Sequence, residues 1–151
     1  MTESGEDRLL TFEIGESLFA MPIAGVLEVA ERGVEACVPT VSSSIASVIN
    51  YRGDALPVVR RERLLELGDV ELEALPEHVL VVTDSPTHAA RLGLEVDRVL
   101  GLIDGEGATS RDSEPVAERR PIEGRLTHIL DPARLVARAR EVIEDSLAKS
   151  G

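Results

Sequence analysis

The chain has 151 residues and a net charge of -12, with no Trp and only Phe12, Phe19 and Tyr51 as aromatics. One domain of this length buries about 70% of its unfolded surface, so an ordinary core can form without disulfides. The acidity repels phosphate backbones and the few rings give no stacking platform, so nucleic acid is not an expected partner.

The single Cys37 cannot pair within the chain. No apolar run approaches the roughly 18 residues of a membrane helix, and no charged-then-apolar leader opens the sequence. The expectation is a cytoplasmic protein with no direct membrane insertion.

Residues 1–8 are polar and acidic and are expected to form a flexible terminus. Leu10, Phe12 and Ile14 alternate with Thr11 and Glu13, Gly15-Glu16 supplies a turn, and Phe19 and Met21 continue on a return strand. Ile23, Val26, Leu27 and Ala30 fall at helical spacing, which predicts a short helix ended by Gly33. Val34, Ala36 and Val38 alternate before Pro39, and Thr40 to Ser44 reads as a loop.

Ile45 to Val59 predicts a β-hairpin, with Val48 and Asn50 in one row, Ile45, Ser47 and Ile49 in the other, and Gly53 at the reversal. Pro57 places the returning strand at an edge or a bulge. Leu64, Leu65 and Leu67 lie among charges in a short helical turn, and the acidic connector Asp69 to Glu77 ends the first half. Val79 to Val82 is a strand covered on both faces, followed by a turn at Asp84-Ser85-Pro86. Leu92, Leu94 and Val96 alternate, whereas Asp104 to Pro121 shows no periodicity and is expected to be a mobile loop. Asp131 is an N-cap with Pro132 at the first helical position, and Leu135, Ala139, Val142 and Ile143 form the apolar stripe of a C-terminal amphipathic helix over 132–148. Strand spacing alone allows a barrel or a sandwich.

Val48-Ile49-Asn50-Tyr51-Arg52-Gly53, followed by Leu56-Pro57-Val58-Val59, resembles the central signature of the CheW-like family. The run Gly93 to Gly101 resembles a second signature, Leu130-Asp131-Pro132-Ala133-Arg134-Leu135 the closing motif, and Thr11-Phe12 through Val29 the opening. The resemblance spans 9–135. It implies a mainly β fold of two small five-stranded SH3-like barrels with a hydrophobic seam between them. Short helices and the C-terminal helix complete that fold. Similar proteins usually carry leucine at the place of Tyr51 and an acid at the place of Arg60. They also have two full strands before the closing motif, where this chain offers Arg119 to Ile122, a Glu123-Gly124 turn and one clear strand, so one barrel edge is expected to be degraded.

The resemblance implies a non-enzymatic scaffold that couples the cytoplasmic tip of a chemoreceptor to the regulatory domain of a CheA-like histidine kinase, without a cofactor. His78, His88, His128 and Cys37 show no metal or nucleophile spacing. Arg52 on an exposed turn can present a planar cation to a partner carboxylate or close a local salt bridge, and the resemblance favours the partner. Asn50 and Gly53 shape the turn, and Asn50, Tyr51 and Arg60 join Arg52 as candidate residues for binding the receptor or the kinase. Val26, Leu27, Val48, Val96 and Val99 read as core on residue chemistry, whereas the resemblance implies that part of the seam is a groove for a receptor helix. Asp97 and Asp131 read as caps. Arg60 cannot cap the turn that follows it, which predicts that Arg60→Asp stabilises this segment and that kinase binding is weak. A divergent adaptor without normal kinase coupling, and a ligand-binding or enzymatic β-barrel, are the alternatives.

Overall fold

The computed structural model describes residues 8–31, 35–37, 45–65, 78–84 and 89–150. Residues 1–7, Gly33, Val34, Val38, the Thr40 to Ser44 loop, Leu67, the connector from Asp69 to Glu77, Ser85-Pro86 and His88 lie outside the described residues.

The strands are β1 (Arg8–Ile14), β2 (Ser17–Pro22), β3 (Val26–Glu31), β4 (Glu35–Cys37), β5 (Ala46–Tyr51), β6 (Asp54–Val59), β7 (His78–Val82), β8 (Leu92–Val96), β9 (Arg98–Asp104), β10 (Val116–Ile122) and β11 (Arg125–Leu130). A 3-10 turn covers Ile23–Gly25, and the helices are α1 (Arg61–Leu64) and α2 (Pro132–Ser150). They form two sheets, ordered β10-β11-β2-β1-β9 and β3-β7-β8-β6-β5-β4. The fold is the expected pair of small strand bodies, with the three-residue β4 adding a sixth strand to one of them.

Alternation of side chains gives each sheet two apolar faces. Leu9, Ala20 and Ile129 fill the inside of the first body. Ile49, Leu56, Val58, Val79 and Val81 fill the second. The opposite faces meet in the largest cluster, where Phe12, Phe19 and Met21 from the first sheet pack with Leu80, Leu92, Leu94 and Val96 from the second. Leu135, Val136 and Ala139 of α2 close this seam. Asp131 Oδ1 accepts a hydrogen bond from the Ala133 N–H at 3.1 Å, and its Oδ2 accepts one from the Ser110 N–H at 2.8 Å, so one carboxylate caps the helix and anchors the preceding loop. At Val58↔Gly93, the parallel contact between β6 and β8, a Cβ on Gly93 would stand 2.7 Å from Val79 Cγ1.

Four sequence expectations are corrected. Beyond the single 3-10 turn at Ile23–Gly25 the expected helix is a strand, because β3 pairs antiparallel with β7 and carries a bulge between Val26 and Glu28. One extra residue in a period of two puts Val26 and Val29 opposite Val82 and Leu80, so a bulged strand mimics the i, i+3 spacing of a helix. Within the stretch expected to be a loop, Val116–Ile122 is a strand whose ladder with β11 supplies the hydrogen bonds, and the barrel edge is intact. The two bodies interleave along the chain. β3 to β8 form one, while β1 and β2 join β9 to β11 in the other. Finally, Pro57 lies in an interior strand, where its missing N–H is tolerated because β6 and β8 pair only at Val58↔Gly93.

Candidate functional site

The β5–β6 hairpin turns on Arg52 and Gly53, with φ values of 53° and 87°, the two-residue mirror-image turn that matches strand twist. Asn50 Oδ1 accepts the Gly53 N–H at 2.9 Å and fixes the reversal.

Glu28 on β3 reaches this turn from across the sheet. Its Oε1 accepts the Tyr51 hydroxyl at 2.8 Å and Arg52 Nη2 at 2.9 Å. The Arg52 guanidinium also lies 5.4 Å from the centre of the Tyr51 ring, and 74% of the arginine side chain remains exposed. The hydrogen bond from Tyr51, and then the one from Arg52, hold the Glu28 carboxyl below its ordinary pKa. The same contact raises the Tyr51 hydroxyl, and Glu28 likewise raises Arg52. A groove of about 560 Å³ opens beside the cluster, lined by Leu27, Tyr51, Arg52, Leu56, Ala89 and Ala90 among others. It sets apolar side chains beside the Arg52 cation, with the Asp54 carboxylate also in its lining, a mixed surface in which Arg52 can meet a carboxylate.

The remaining sequence candidates divide by position. Leu27 shares the groove with Tyr51 and Arg52. Val26 and Val99 are half-buried against the seam, and Val48 is half-buried on β5 opposite Pro57. Val96 is fully buried in the seam, so it supports a surface and offers none. Arg60 follows the opposite end of β6 from the turn, and its Nη1 donates to Glu95 Oε2 at 3.0 Å. Arg61 next to it donates to Asp97 Oδ1 at 2.9 Å, while Asp97 Oδ2 accepts the Gly15 N–H at 2.6 Å. Asp97 therefore ties α1 to the β1–β2 turn. The residue that sequence reasoning missed is Glu28, whose acid stood on the polar side of an expected helix.

This architecture defines a double β-barrel module. Among the described residues, no group of three or more His, Cys, Asp or Glu side chains is placed to hold a metal ion, and no helix is long and apolar enough to cross a membrane. The family model of the CheW-like domain matches residues 8–140, and the chain belongs to that family. It is similar to the chemotaxis protein CheW of Treponema pallidum, 27% identical over 101 residues that cover 64% of this chain and 56% of that protein. It is also similar to protein FrzA of Myxococcus xanthus, 32% identical over 97 residues, 64% of this chain and 58% of that protein. The matches thus span less than two thirds of these relatives. In fold it is similar to the crystal structure of the scaffolding protein TtCheW from Thermoanaerobacter tengcongensis, with a TM-score of 0.67, 18% identity, and coverage of 85% of this chain and 86% of that one.

Proposed function

We propose that the chain is a non-enzymatic adaptor of chemotaxis-type signalling in the cytoplasm, which holds a chemoreceptor's cytoplasmic tip beside the regulatory domain of a CheA-like histidine kinase. The observation that carries this reading is membership of the CheW-like family across residues 8–140. The receptor would lie as an apolar helix in a groove, and the kinase would meet one barrel with a barrel of its own, so that the signal travels as geometry and not as bond chemistry. Arg52 is the cation offered to the receptor, and Asn50, Tyr51 and Leu27 shape its surroundings.

Calorimetric titration with a receptor-tip fragment and with the kinase regulatory domain tests the reading. Binding of both is expected. Binding of neither, or a specific small molecule captured in place of either, would overturn it. A second reading is favoured by Arg60, which is drawn to Glu95 where similar proteins carry an acid: a divergent adaptor that takes the receptor and engages the kinase weakly. An ordinary family member titrated alongside distinguishes the two.

A further inference from the structure

Tyr51 stands where similar proteins usually have leucine, and it meets the Glu28–Arg52 pair in two ways. Its hydroxyl donates to the same carboxylate oxygen that receives Arg52, and its ring lies beside the guanidinium. We propose that Tyr51 is a positioning residue, which pins Glu28 so that Arg52 is held in advance at the rim of the groove with its remaining donors turned to an acidic side chain of the receptor segment. The inference rests on the adaptor reading above.

A long, largely exposed arginine loses rotamer freedom when it binds, and a partner pays less for one already ordered. Glu28 alone would order Arg52 but would also compete for it. A hydroxyl bond to Oε1 draws charge from the carboxylate, so Glu28 orders the guanidinium with less neutralisation of it. Nη2 donates to Glu28, while Nε and Nη1, on opposite sides of the guanidinium, keep N–H donors for a second carboxylate. Tyr51 also packs against the barrel interior of Ile49, Leu56 and Val58, so the hydroxyl is delivered from a fixed ring.

Tyr51→Phe keeps the ring and removes the hydroxyl, and it is expected to weaken binding of the receptor-tip fragment about three- to tenfold with the melting midpoint unchanged. Tyr51→Leu removes both contacts and is expected to weaken it further. NMR titration of Glu28 supplies a readout that loose packing would not move, since its carboxyl should rise toward 4.5 in Tyr51→Phe. Glu28→Gln is expected to weaken receptor binding as well, whereas tighter binding would show that Glu28 is a competitor and overturn the proposal. A Glu28 titration left in place by Tyr51→Phe would overturn the positioning itself. Wild type that does not bind the receptor tip would instead overturn the adaptor reading, and the NMR result separates the two failures.

Discussion

Arg60 Nη1 lies 3.0 Å from Glu95 Oε2, with the arginine side chain 13% exposed and the glutamate 2%. This cation helps to make a carboxylate so far from water tolerable. Sequence reasoning weighed Arg60 as a partner-binding candidate and as a poor cap for α1, a helix of four residues in which capping counts for little.

The expected sign of Arg60→Asp therefore reverses. The aspartate would leave Glu95 buried without this cation and add a second negative charge nearby, so stability should fall by about 3 kcal/mol or more in denaturant titrations. The exchange Arg60→Glu with Glu95→Arg should recover part of that loss. A stabilised Arg60→Asp protein would show that the pair contributes nothing.

Arg52→Glu should leave the melting midpoint near that of wild type, because the side chain is mostly exposed. It should weaken receptor-tip binding by about ten- to a hundredfold, the scale of a lost charge-assisted contact. Normal binding would reduce Arg52 to a partner of Glu28 alone.

Leu135 is fully buried where α2 closes the seam. Leu135→Asp places a carboxylate among Phe and Leu side chains and should cost about 4 kcal/mol, visible as a large drop in the circular dichroism melt. An unchanged midpoint would show that the helix is not docked through this face.

His128 packs 4.9 Å from the Phe19 ring, and its Nδ1 lies 3.3 Å from the Leu18 carbonyl, an acceptor that calls for a proton on Nδ1. Burial pushes its pKa below the ordinary 6.5, opposed by the Leu18 carbonyl and assisted by the Arg119 cation. The unfolded chain takes up the proton first, so this contribution is complete above 6.5 and is lost as pH falls through 6.5 toward the lowered folded value. Denaturation midpoints should decline across that window, and His128→Asn should flatten the decline. Glu28 and Glu118, held below their ordinary 4.5, act only in more acidic solution. A wild-type profile that is flat through 6.5 would refute the assignment.

What could be read in the sequence was local. The β5–β6 hairpin was legible because Gly53 and strict alternation sit within a few residues of one another, and the start of α2 because Asp131 and Pro132 have separate, additive preferences. β3 was misread because a bulge gives a strand the spacing of a helix. β10 was hidden by Glu118, Arg119 and Arg120, consecutive charges that an edge strand carries on both faces and that erase periodicity. The partners of the candidate cations were out of reach, since Glu28 and Arg52 are 24 residues apart and Arg60 and Glu95 are 35, and only the strand register brings them together.

The way β2 pairs parallel with β11, Leu18 opposite Thr127, sets an order of assembly. During synthesis β3 to β8 can close as a body while the ribosome is still making the last strands, but β1 and β2 must wait for β9 to β11. Until then the face bearing Leu9 and Ala20, which Ile129 of β11 covers in the finished fold, stays open, and closing a loop of over a hundred residues makes the step slow. Chains stalled before Thr127 should be the aggregation-prone species, held in check by whatever shields that hairpin.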